Sequence, residues 1–215
     1  MSIHRLLFLA CVVNICASSR AADLPMAGKP ADGNGLPGAV ARIKGPLSPS
    51  FTFLPKHVSS SSPYHPTILR RHYEQAAADK AAGEKFYKLL ADYKDRDALV
   101  LAYKAAAEAI RARDASMFNK LTYVQDAART FEQAVGIDPQ NPEIRFLRFS
   151  VESNLPAFLG LSKHVDEDKT MLLNAALSHP NSGLDAEAFR TVRDFLVERG
   201  HVSDGDAQRL SKVKE

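Results

Sequence analysis

The sequence predicts an all-α fold in which antiparallel helical hairpins stack as a short repeat, preceded by an extended or disordered arm. Three observations carry this expectation. Past Thr67 the chain becomes alanine-rich and charged, with few helix breakers. Across residues 97–169 the apolar positions recur at spacings of three and four, as one face of a helix requires. No run alternates apolar and polar residues in the way a half-buried strand would.

Residues 1–22 read as a secretory signal peptide. Arg5 gives a cationic start, residues 6–13 form an apolar run, and Ala17, Ser18, Ser19, Ala21 and Ala22 provide a small-residue cleavage region. The run is too short to span a bilayer, so cleavage near Ala22 is expected. Leu9-Ala10-Cys11 has the look of a lipobox end, but Phe8 stands where leucine is preferred, which favours simple cleavage. A membrane anchor is expected only if Cys11 is lipidated.

Both cysteines, Cys11 and Cys16, lie in this segment, so the exported chain has neither disulfide nor thiol. Its stability then rests on its own core, for which about 190 residues and a 45% hydrophobic composition suffice. Removal of Arg5 and Arg20 leaves 26 basic side chains against 25 acidic ones, a net charge of +1 in place of +3. A nearly neutral, exported chain with no basic stripe argues against a nucleic-acid partner.

Residues 23–66 hold eight of the twelve prolines, five of the eleven glycines and the run Ser59-Ser60-Ser61-Ser62, a composition for an extended or disordered arm. Phe51, Phe53, Leu54 and Val58 form a short apolar patch in it, placed either to anchor the arm or simply to lie within a linker. The helical domain is expected over 67–215.

Its first helix is predicted over 67–93, with Ile68, Leu69, Tyr73, Phe86, Leu89, Leu90 and Tyr93 as apolar markers and Gly83 as a point of division. A helix over 97–113 places Leu99, Ala102, Tyr103, Ala106, Ala109 and Ile110 on one face, where alanines permit close approach. Its antiparallel neighbour over 117–135 carries Met117, Leu121, Val124, Ala128, Phe131 and Val135. Pro139 ends that helix and Pro142 suits the first turn of the next, over 143–153, with Ile144, Leu147 and Val151 on one face. Pro156 stops it. A helix over 163–179 opens on Asp166, Glu167 and Asp168 and closes near His179, as the helix dipole favours. The helix over 185–199 has Asp185 as N-cap, a Leu184–Phe189 staple and Gly200 beyond its end. Ser203 caps a last short helix ending near Val213.

Ala127, Phe131, Ala134 and Pro139 match the second-helix pattern of a tetratricopeptide repeat. Arg145 and Arg148 depart from it, occupying places where an aromatic residue and a leucine are usual, and no third copy follows. The chain is therefore tetratricopeptide-like rather than a regular array. A wider resemblance covers residues 101–173. The segments Ala102-Tyr103-Lys104-Ala105-Ala106, Asn119-Lys120-Leu121, Glu143-Ile144-Arg145-Phe146-Leu147-Arg148-Phe149, Pro156-Ala157-Phe158-Leu159-Gly160 and Glu167-Asp168-Lys169 resemble an uncharacterised family of exported bacterial proteins. That resemblance implies a bacterial envelope protein with a helical-repeat fold, and no catalytic residues.

The candidate ligand-binding set is Arg145, Arg148, His164 and Asp168. Arg145 and Arg148, three apart, are spaced to hold a carboxylate or phosphate between two guanidiniums. Two structural readings compete and are favoured. One is a solvated face with an Arg148–Glu152 pair, worth a few tenths of a kcal/mol. The other is an internal bridge to the acids at Asp166–Asp168 that fixes one hairpin on the next. No metal is expected from His164, Asp166, Glu167 and Asp168, because consecutive helical residues diverge instead of converging on one ion.

His57, His65, His72, His179 and His201 show no metal-binding spacing and are expected on the surface or arm. Ser162 lacks the second glycine of a nucleophile elbow, and there is no glycine-rich phosphate loop. Asp204-Gly205-Asp206 reads as a helix start rather than part of a calcium loop. No cofactor is expected. The functional expectation is an exported, non-enzymatic scaffold whose stacked hairpins bind a protein or peptide in the bacterial envelope. The alternative is a small-ligand-binding or enzymatic module with an anionic ligand at Arg145 and Arg148.

Overall fold

The computed structural model describes residues 62–214; the expected signal peptide and almost all of the expected arm lie outside them. Among the described residues there are eight α-helices and one 3-10 turn, with no strand. The helices are α1 (Pro66–Ala78), α2 (Lys80–Ala91), α3 (Ala98–Asp114), α4 (Met117–Ile137), α5 (Pro142–Glu152), α6 (Val165–Leu177), α7 (Ala186–Glu198) and α8 (Asp204–Leu210), and the 3-10 turn is Ala157–Leu159. The expected all-α stack of helical hairpins is the architecture found.

Local signals set most boundaries. Asp97 accepts from the Val100 N–H at 3.0 Å, Asp185 from Ala188 at 2.9 Å and Asn141 from Glu143 at 3.1 Å. Each satisfies a donor that the first helical turn leaves unpaired. Pro142 occupies the first turn of α5. Gly200, with φ of 66°, takes the left-handed position just after α7, where a side chain would be strained.

The expected helix over 67–93 is divided, but not at Gly83. The break is Asp79, whose carboxylate caps α2 by accepting from Ala82 N–H at 2.7 Å. Gly83 lies buried within α2, and a Cβ there would sit 3.0 Å from Ile110 Cγ2. Its role is close approach of α2 to α3, which the sequence alone does not distinguish from a helix break.

Two cores form around α5. The first gathers α1 to α5 and is rich in small residues, including Ala102, Ala105, Ala106, Ala109, Ala127 and Ala134, with Phe131 between them. These alanines let α3 lie close against α1, α2 and α4. Leu121 is exposed and Ala128 only half-buried, so the buried stripe of α4 runs through Val124, Ala127, Phe131 and Ala134 instead. The second core joins α5 to α6, α7 and α8 through Phe146, Phe149, Phe189 and Phe195. Leu184 and Phe189, the expected staple, are both buried there.

Three histidines expected on the surface pack on rings: His179 stacks on Phe189 at 4.1 Å, His201 on Phe195 at 5.1 Å, and His72 on Phe86 at 6.2 Å. His57 lies outside the described residues.

Candidate functional site

Helix α5 belongs to both cores, and every one of its residues except Glu143 is buried. At about 100° per residue its side chains divide into four faces. Ile144, Leu147 and Val151 enter the first core, and Phe146 and Phe149 the second. Between them run two polar stripes on opposite sides, Arg145, Arg148 and Glu152 on one and Glu143 and Ser150 on the other. Each stripe meets a complementary set of side chains.

The first stripe contains Arg145 and Arg148 and meets His164 and Asp168, so all four residues singled out from sequence come together here. Asp168, in the first turn of α6, is 0% exposed, and Arg148 is 2% exposed. The Arg148 guanidinium donates to both Asp168 oxygens, each at 2.7 Å, and Arg145 Nη1 donates to Asp168 Oδ1 at 2.8 Å. Arg145 also reaches Glu167 at 2.5 Å and the Pro139 carbonyl at 2.9 Å. Two guanidiniums do hold one carboxylate between them, as their spacing suggests, Arg148 bidentately and Arg145 through a single bond, but that carboxylate is supplied by the same chain. Burial opposes the charge on Arg145, yet its bonds to Asp168 and Glu167 outweigh this and raise its pKa.

Glu152 does not pair with Arg148. Its carboxylate accepts from the His164 backbone N–H at 2.8 Å and lies 2.9 Å from His164 Nδ1. His164 Nε2 faces Glu132 of α4 at 3.3 Å. Only a doubly protonated ring donates to both carboxylates, and in that form His164 links α4, α5 and the start of α6. Ser162 donates to the Glu152 carbonyl at 2.8 Å, a structural bond rather than a nucleophile's. Asp166 pairs instead with Lys169 at 2.9 Å, pointing away from Asp168 as expected of neighbours on a helix.

The second stripe was not foreseen. Glu143 receives two bonds from Arg70 of α1, at 2.8 and 2.7 Å, and one from the Tyr103 hydroxyl at 2.7 Å. Arg70 continues to Asp185 and Glu187 at the start of α7, at 2.8 and 3.3 Å. Tyr73 lies 3.4 Å from Ser150 Oγ. Burial, with the Glu143 charge beside it, pushes the Tyr103 hydroxyl pKa well up, so it donates as a neutral phenol. Burial works against the charge on Arg70, but Glu143 and Asp185 more than offset it. No periodicity pairs residues 70, 143 and 185, and the cap position of Asp185 was the one legible member.

Beside this network lies a crevice of about 30 Å³ lined by Tyr73, Tyr103, Glu143, Phe146, Leu147 and Val192, among others. Pockets for metabolites are typically about 300–1,000 Å³, so it cannot take one. A larger, shallow groove of about 640 Å³ follows the outer face of α6. Among the described residues no group of histidine or acidic side chains is arranged to hold a metal, and no helix is long and apolar enough to cross a membrane. Compared with known proteins, the chain matches no protein-family model, no curated protein and no solved structure.

Proposed function

We propose that this chain is an exported helical scaffold that binds a protein or peptide partner in the bacterial envelope. Support comes from a contrast among its polar groups. The charged residues most suggestive of a ligand site are engaged with one another around Asp168, whereas the groove along α6 presents amide and hydroxyl groups to solvent. An anionic ligand at Arg145 and Arg148 would have to displace Asp168, leaving a buried carboxylate without its partners. A surface interaction requires no such exchange. Export rests on the signal-like residues 1–22 and the envelope on the resemblance described above.

Crosslinking in intact cells of the native host, followed by purification and mass spectrometry, tests the proposal. The expected result is a reproducible protein partner crosslinked to the helical domain, on a chain whose intact mass places its start near Asp23. Recovery of the bare protein alongside efficiently crosslinked controls would overturn the scaffold reading. An acylated chain starting at Cys11 would replace a free protein with an anchored one.

A further inference from the structure

We infer that His164 is a proton-operated clasp that fastens α4 to the start of α6 when both ring nitrogens are protonated. When the Nε2 proton leaves, the ring stays on α5 and lets α4 go. This does not depend on the scaffold reading. It concerns how the two cores are tied together, since α4 lies in the first and α6 in the second.

The two ring bonds are unequal. Nδ1 lies 2.9 Å from Glu152, whose side chain is 7% exposed and which also accepts the His164 backbone N–H at 2.8 Å. Nε2 lies 3.3 Å from Glu132, whose side chain is 58% exposed. An enclosed carboxylate that loses a donor finds no water to replace it, whereas an exposed one does. A neutral ring has one N–H to give, so that N–H goes to Glu152 and the Nε2 lone pair is left facing Glu132. Lone pair and carboxylate repel, and Glu132 turns to solvent. The proton on Nε2 therefore decides whether α4 is attached.

The charges around the ring leave it this role. On α5, Arg145 and Arg148 are engaged by Glu167 and Asp168 of α6, so these two positive and two negative charges offset one another. On α4, Arg129, one turn before Glu132, bonds Asp126. Lys163, next to His164 in the connection, is exposed. Glu132 and Glu152 are then the carboxylates that meet the ring, and its second proton is what joins them. His164 is also the N-cap residue of α6, yet its side chain makes no cap bond. A helix N-terminus disfavours a cation, so the two glutamates, and not capping, account for the arrangement.

The full chain tests this by NMR of the histidine ring nitrogens and by urea unfolding between about pH 5 and pH 8, the span in which an imidazole ordinarily changes charge. The His164 ring should pass from doubly protonated to the Nδ1–H tautomer as the pH rises. A double-mutant cycle of His164→Gln with Glu132→Ala should show a coupling of about threefold in the folding equilibrium at the acid end and none at the alkaline end. The clasp thus stabilises the fold while the ring is charged, and that contribution is lost as the pH rises. Glu132→Gln, whose amide accepts from a protonated Nε2 and donates to a neutral one, should retain the Nδ1–H tautomer and abolish the pH-dependent difference. An Nε2–H tautomer at the alkaline end, or a coupling equal at both ends, overturns the inference. If His164→Gln fails to fold, the tautomer and Glu132→Gln, both read with His164 in place, decide it.

Discussion

On the α6 side of α5, Asp168 is wholly enclosed and its oxygens accept three bonds from two buried arginines. On the α1 and α7 side, Glu143 also accepts three bonds, from one arginine and one tyrosine, but that arginine extends to Asp185 and Glu187 at the surface. The two sides thus use similar chemistry at different depths. In the enclosed one, no solvent can replace a lost partner. In the shallower one, Arg70 has three carboxylates and partial access to water, so each bond is more replaceable. A bidentate arginine–carboxylate geometry therefore says little about function until its burial is known.

The largest expected effect follows from the enclosed side. Asp168→Ala leaves Arg148 buried without its carboxylate, a change that typically costs about 3–5 kcal/mol. For a chain of this size that corresponds to a Tm lowered by about 6–20 °C. Urea and thermal unfolding followed by circular dichroism measure it. The double variant Asp168→Leu with Arg148→Met removes both charges together and should recover a substantial part of the loss. A loss under about 1 kcal/mol for Asp168→Ala would erase the distinction between the two sides, because surface pairs cost that little.

Glu143→Ala tests the shallower side and should cost about 1–3 kcal/mol, the range for leaving a buried donor unsatisfied. Tyr103 loses its acceptor, while Arg70 retains Asp185 and Glu187. Tyr103→Phe is milder, about 1 kcal/mol, since it removes a single hydrogen bond and leaves the ring in the first core. Unfolding midpoints ranked Asp168→Ala below Glu143→Ala below Tyr103→Phe would sustain the comparison. A reversed order of the first two would place the main cost on the α1 side.

The same contrast explains which parts were legible in the sequence. The cap at Asp185 and the proline at the start of α5 depend on neighbouring residues, so the helix boundaries there were readable. The Asp168 bridge was among the structural readings of Arg145 and Arg148 because both partners stand on consecutive helices joined by one loop. Arg70 and Glu143 are 73 positions apart on helices that are not consecutive, and no local pattern couples them. The break between α1 and α2 was expected at Gly83 and falls instead at Asp79, for a related reason. Gly83 carries the stronger intrinsic breaking tendency, but the close contact with Ile110 that fixes its role is tertiary. The stacked histidines were equally hidden, since His179 and His201 have no helical neighbour that announces Phe189 or Phe195.

The smallest expected effect is on acid stability, and it involves the rim of both sides. The bond from Arg145 lowers the pKa of Glu167, with the nearby positive charges adding to it. For Asp185, burial acts in the opposite direction, but the Ala188 N–H and the Arg70 guanidinium prevail and its pKa is also lowered. A carboxylate with a folded pKa below its unfolded value stabilises the fold fully above the unfolded value, about 3.9 for Asp and 4.3 for Glu. That contribution is lost as the pH falls through the depressed folded value. Both side chains are 59% exposed, so solvent and salt screen their pairs and each contributes no more than about 1 kcal/mol. Stability measured by urea unfolding should therefore decline modestly between about pH 4.5 and pH 3. Glu167→Gln and Asp185→Asn should each flatten that decline, and Asp185→Asn should do so while keeping the cap on α7, because an asparagine oxygen can still accept from Ala188. A decline left unchanged by both substitutions would locate the acid-sensitive carboxylates elsewhere and remove the rim from the comparison.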